Sequence, residues 1–161
     1  MKFLLPLAAL ALVPGTAFAQ AKGNDRLPPA NALPYTVADD ASAALDGANR
    51  LLGALATGGD AILATVRPEG GATAVTDKGI RHLSWAEFAA AIKPDGHRYE
   101  ERLTDPAVDV DGDIAMVWSP YVFLVDGKLI HCGVDHFDLI REGGQWKVLN
   151  VTWTQRTTGC Q

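Results

Sequence analysis

This chain of 161 residues holds only two cysteines, Cys132 and Cys160, and neither has a ligand-type residue at the usual zinc intervals. No metal or cofactor is therefore expected. Basic residues are outnumbered, 14 against 19, giving a formal net charge of −5. There is no basic run and no basic–aromatic stripe, which argues against nucleic acid and anionic membrane surfaces as partners. The longest apolar run, residues 3–13, is too short to span a bilayer. No Ser-His-Asp order, phosphate-binding glycine loop, internal repeat or low-complexity tract is visible. Asp109, Asp111 and Asp113 lack the later acidic ligand of a calcium loop and fit a hairpin turn better.

The beginning of the chain reads as an export signal. Lys2 supplies the positive start, residues 3–13 the apolar stretch, and Ala17-Phe18-Ala19 the small-residue cleavage site. Residues 1–19 are thus expected to be removed from a secreted or periplasmic protein. Residues 20–35, which contain Pro, Asn and Gly and few large apolar residues, are expected to form a flexible arm ahead of one domain over residues 36–161. An oxidising compartment permits a disulfide. A C-terminal tail that folds back would bring Cys160 to Cys132, and the spacing leaves the bonded and the free forms both open.

Within the domain, Ala41, Ala44, Leu45, Ala48, Leu51, Leu52 and Leu55 recur at helical spacing over residues 39–56, and Gly58-Gly59 ends that helix. A short helix over 61–66, a strand over 72–76, a helix over 85–92 opened by the capping box Ser84-x-x-Glu87, and a polar strand over 96–103 follow. The last third is a meander: alternating apolar runs over 114–125, 128–141 and 146–156, joined by Asp126-Gly127 and Gly143-Gly144. Helices ahead of an antiparallel sheet indicate an α+β domain.

The meander can be folded on paper. A two-residue turn at Asp126-Gly127 sets Trp118 opposite Asp135 and Val122 opposite His131. One face then carries Met116, Trp118 and Phe137, and with them the ionisable His131 and Asp135. A two-residue turn at Gly143-Gly144 adds Thr152 opposite Asp135, Asn150 opposite Phe137, and Arg156 opposite His131. An apolar face with two ionisable groups reads as the wall of a ligand cavity or as an ordered core. Asp135, losing hydration there, is the candidate general base, and His131 the acid or orienting group. At strand rise the two stand roughly 13 Å apart, too far for a hydrogen-bonded dyad. Trp118, Met116, Phe137, Asn150, Thr152 and Arg156 are the candidate ligand contacts. The opposite face, with Val117, Tyr121, Phe123, Val134, Val151 and Trp153, is too apolar to be left in water, and a homodimer through it is expected.

Four segments carry a family resemblance: Gly58-Gly59-Asp60; Val110-Asp111-Gly112-Asp113-Ile114-Ala115; His131-Cys132-Gly133-Val134-Asp135-His136-Phe137; and Gly143-Gly144-Gln145-Trp146-Lys147-Val148. With the element order they resemble the nuclear transport factor 2-like superfamily, the α+β cone shared by ketosteroid isomerases, SnoaL-type cyclases and scytalone dehydratase. The His-Cys-Gly-Val-Asp stretch is similar to a SnoaL-like or lumazine-binding-like subgroup. The resemblance implies a cone of curved antiparallel sheet (cystatin-like) packed on N-terminal helices, with a pocket on its inner face and, in many members, a dimer through its outer face. The fold hosts enzymes and non-enzymes alike. Three readings stay open: a binder of a small apolar or ring-containing ligand, an isomerase, dehydratase or cyclase using Asp135, and a dimerisation module without ligand.

Overall fold

The computed structural model describes residues 38–160; the expected export signal and the whole of the expected arm lie outside the described residues. Helix α1 (Ala38–Ala54) buries Ala44, Ala48, Leu51 and Leu52, the stripe its spacing implied. Gly47 lies on the same stripe. A Cβ there would stand 2.9 Å from Leu139 Cδ2 and 2.9 Å from Trp146 Cβ, so its bare backbone is what lets the helix lie close on the sheet. Helix α2 (Gly59–Thr65) runs directly into strand β1 (Val66–Thr76). Strand β2 (Gly79–Ser84) was not evident from the sequence, because no buried alternation marks it and Ile80 is 76% exposed. Helix α3 (Trp85–Ala91) opens on the expected capping box: Glu87 N donates to Ser84 Oγ, and Ser84 N donates to Glu87 Oε2.

Strands β3 (Tyr99–Leu103), β4 (Ala107–Asp111), β5 (Ile114–Val125), β6 (Lys128–Glu142) and β7 (Gln145–Thr154) complete one curved, unclosed sheet of seven strands among the described residues. Its order is β2-β1-β7-β6-β5-β3, with β4 pairing the other half of β5. One pairing departs from the antiparallel cone expected: β1 runs parallel to β7. Those strands are joined by most of the domain, so no tight turn dictates their direction.

Both hairpin turns are two-residue turns. Asp126 and Gly127 adopt φ of 52° and 79°, Gly143 and Gly144 φ of 57° and 78°, as a type I′ turn requires. Val125 accordingly faces Lys128, and Glu142 faces Gln145. Yet each register slips by one residue further along. Phe123 faces His131 while Leu124 faces Leu129, so Ile130 is an extra residue in β6. Asp138 faces Asn150 while Leu139 faces Val148, so Leu149 is an extra residue in β7. The bulged Leu149 carbonyl is occupied by the Trp85 indole, which donates to it at 2.8 Å.

A one-residue slip exchanges the faces of a strand. Trp118 therefore faces His136 rather than Asp135, and Met116 faces Asp138. Both lie on the outer surface, 51% and 38% exposed. Thr152 faces His136, and Asn150 meets Asp138 and the Gly71 amide on the same outer side. Conversely Val117, Tyr121, Phe123, Val151 and Trp153, expected outside, turn toward the helices with the core or the cavity. A contact between copies through the outer face would rest on Ile114, Met116 and Trp118 instead.

The tail folds back on β6. Cys132 and Arg156 exchange backbone hydrogen bonds of 3.0 and 2.9 Å, and Cys132 is disulfide-bonded to Cys160 across a Cα–Cα distance of 5.6 Å. Denatured, unreduced protein should give no free thiol. Replacing both cysteines by serine should cost about 3–4 kcal/mol by the entropy of a loop of this length, read as a lower urea midpoint. An unchanged midpoint would show that the tail adds no constraint.

Candidate functional site

The inner face divides along its length. At one end Val117, Phe137, Leu139 and Val148 pack under α1 and are essentially inaccessible. At the other the helices diverge from the sheet and leave a cavity of about 550 Å³, within the usual size for a small-molecule site. Leu51 and Leu52 of α1, Leu55 just beyond it and Phe88 of α3 form its helical side. Tyr99 and Glu101 of β3, Phe123 of β5, His131, Asp135 and Phe137 of β6, and Val151 and Trp153 of β7 form its sheet side. Lys93 and Asp95, between α3 and β3, lie at its rim.

Of the residues singled out in the sequence, Asp135, His131 and Phe137 thus share one cavity. Trp118, Met116, Asn150 and Thr152 do not reach it, for the register reason given above. Arg156 is held by its backbone to Cys132 and lies outside the lining, though its charge bears on the Tyr121 hydroxyl. Glu101 and Tyr121 were missed as site residues. Strand alternation over Tyr99, Glu101 and Leu103 was the available signal for Glu101. Tyr121 was assigned to the wrong face.

Asp135 is 2% exposed, and its Oδ2 is buried with no hydrogen-bond partner in the protein. Ser119, its neighbour across the β5–β6 pair, is also buried but donates to the Pro120 carbonyl at 2.7 Å. Glu101 is the group Asp135 does meet. Burial pushes the Asp135 carboxyl well up from its ordinary range, and the adjacent Glu101 carboxyl pushes it further. Burial also raises Glu101, and its contact with Asp135 offsets part of that rise. Two adjacent buried carboxyls do not readily ionise together. The pair therefore holds a proton at neutral pH, and the more deeply buried Asp135 keeps it.

Beside the pair stands an ordered aromatic wall. The His131 ring stacks on Phe123 at 4.6 Å and 7°, and Tyr99 stacks on the other side of Phe123 at 6.1 Å and 25°. Burial lowers the His131 pKa, which leaves the ring neutral near pH 7. The Tyr121 hydroxyl lies 2.9 Å from the Thr154 carbonyl and 3.2 Å from His131 Nδ1. The carbonyl can only accept, so Tyr121 donates to it and accepts from His131 Nδ1–H. That network assigns the tautomer and leaves Nε2 as an acceptor. Burial, then the charges of Glu101 and Asp135, raise the Tyr121 pKa, so it stays protonated. The site can therefore bind a small molecule against apolar and aromatic walls, hold a proton at its floor, and offer acceptors to the occupant.

No family model matches the chain, and no curated protein matches it. Solved structures do. A protein of unknown function with a cystatin-like fold from Nostoc punctiforme aligns at a TM-score of 0.61 and 14% identity, over 76% of this chain and 95% of that one. A nuclear transport factor 2-like protein of unknown function from Shewanella baltica aligns at 0.57 and 10%, over 75% and 97%. Another from Silicibacter pomeroyi aligns at 0.55 and 20%, over 75% and 99%. At such identities the likeness establishes the fold alone, one shared with nuclear transport factor 2-like and cystatin-like proteins, and leaves the SnoaL-like subgroup undecided.

Proposed function

We propose that this chain uses its nuclear transport factor 2-like fold as an exported small-molecule-binding protein, with a ring-sized ligand in the cup and a polar group of that ligand at the Glu101–Asp135 floor. One observation carries the reading: a buried carboxyl oxygen of Asp135 without a donor, at the floor of an apolar cavity of about 550 Å³. A buried polar atom left unpaired is costly, and a ligand that pairs it recovers that cost on binding. Export is supported by the signal-like residues 1–19 and by the Cys132–Cys160 bond, which suits an oxidising compartment.

Trp153 lines the cavity and Trp118 does not. Ring compounds with one polar substituent should therefore perturb tryptophan emission in wild type and in Trp118→Phe, and the response should vanish in Trp153→Phe. An unresponsive wild type across a broad panel would sink the cup. A second reading, acid–base catalysis at the same floor, is favoured by the proton shared between Glu101 and Asp135 close to a neutral imidazole. Chemical conversion of a bound compound, followed by mass spectrometry, separates it from simple binding.

A further inference from the structure

The donors around the floor are already engaged. Tyr121 gives its proton to the Thr154 carbonyl, and His131 Nδ1–H is directed at the Tyr121 oxygen. Tyr99 donates to Asp95 Oδ2 at 2.5 Å. Positive charge is also missing where it would count. The influences on Glu101 and Asp135 are burial and each other, and no lysine or arginine is ion-paired with either among the described residues. At the rim Lys93 and Asp95 carry opposite charges, and the charge of Arg156 reaches only as far as Tyr121. The helical side adds leucines and Phe88, which carry no charge. What remains is an acceptor-rich floor without donors or counter-charge, beside the stacked rings of Tyr99, Phe123 and His131.

We infer that the cup takes an organic cation: an amine on a ring-sized apolar body, its ammonium seated at Glu101 and Asp135 and its body against the Tyr99–Phe123–His131 wall. This rests on the cup being a ligand site and names the charge of the ligand. An ammonium offers donors only, which is what the floor lacks, and the stacked rings give its apolar body a surface to pack against. By itself the pair holds a proton. An arriving cation favours the ionised pair, so that proton leaves to solvent as the amine binds. Affinity for an amine consequently rises with pH until the amine itself loses its charge.

The test uses two probes of one shape, tryptamine and its neutral alcohol tryptophol, titrated calorimetrically into the wild-type protein at pH 6, 7 and 8 in phosphate and in Tris. Tryptamine should bind at least about tenfold more tightly than tryptophol at pH 8. Its affinity should rise by up to about tenfold per pH unit for one released proton, with an apparent enthalpy that differs between the buffers. The double substitution Glu101→Gln, Asp135→Asn should remove the preference for the amine and leave tryptophol binding in place. Equal binding of the two probes, or tryptamine affinity independent of pH, overturns the cation inference while the cup stands. No heat from either probe at millimolar concentration overturns the cup as well. The wild-type comparison needs no variant to fold.

Discussion

Asp135→Asn should flatten the dependence of stability on pH. The folded protein binds a proton at the Glu101–Asp135 pair that the unfolded chain releases near pH 4. A raised carboxyl gives stability that is full below the unfolded pKa and is lost as pH rises toward the folded one. Across that window wild type should lose up to about 1.4 kcal/mol per pH unit for each such proton. Asparagine has the same shape and does not titrate; its amide can donate to Glu101. The variant should therefore be more stable than wild type at pH 7.5, by about 2–4 kcal/mol if one proton is held over that range. The two should converge near pH 4.

The difference between the proteins is the informative quantity, because other groups titrate in both. Asp95, Asp126 and Glu142 are lowered by hydrogen bonds and by charged neighbours, and their contribution is lost as pH falls. His97 is raised by its hydrogen bond and charge contact with Asp126, and its contribution is lost as pH rises. None involves Asp135, so all cancel in the comparison. Urea unfolding at pH 4.5, 6 and 7.5 measures it. Parallel curves for the two proteins would mean that the pair holds no proton in the folded state, and the acceptor-rich floor would lose its basis.

The parts of the fold fixed by local chemistry were legible: the α1 stripe, the Ser84–Glu87 box, and both turns where Gly127 and Gly144 sit at positive φ. Asp135 and His131 were legible as inner-face residues because Phe137 and Leu139 define the buried side of their own strand. The neighbouring strands were read with the wrong parity, and the cause is specific. Ile130 and Leu149 are ordinary aliphatic residues in apolar runs, with nothing in their chemistry to announce a bulge. The Leu149 bulge is held by partners distant in sequence: the Trp85 indole takes the Leu149 carbonyl, and Asn150 Oδ1 accepts the Gly71 amide. Those contacts span at least 64 residues of sequence, so no short window contains them. Glu101 escaped for a different reason. Its strand has a glutamate on each face, and the pairing of Glu101 with Phe123 shows which of the two looks into the cup.

Gly133→Ala should be among the most damaging single substitutions in the domain. Gly133 lies between His131 and Asp135 on the inner side of β6, where the end of β7 crosses closely. A Cβ at this position would stand 1.9 Å from the Thr154 carbonyl oxygen, 2.7 Å from its carbon and 2.8 Å from Tyr121 Cε1. Two of those atoms are backbone and cannot swing aside. To make room Thr154 would have to withdraw, which breaks the Tyr121 bond to its carbonyl and the Val134 N bond to its Oγ1, and strains the Cys132–Arg156 bridge beyond it. The expected loss is about 3 kcal/mol or more, combining overpacking with broken buried hydrogen bonds. Gly53→Ala is the contrasting control. Gly53 lies in α1 with nothing within 4 Å of the added Cβ, and its φ is not positive. That change should stabilise by about 0.5–1 kcal/mol, since alanine gives up less chain entropy in a helix. The same methyl group should thus shift the urea midpoint in opposite directions at the two sites. Gly133→Ala should also release His131 from Tyr121, which a change in the titration of its ring protons by NMR would report. A Gly133→Ala protein with wild-type stability would mean that β7 does not approach β6 so closely, and the walls of the cup would have to be redrawn.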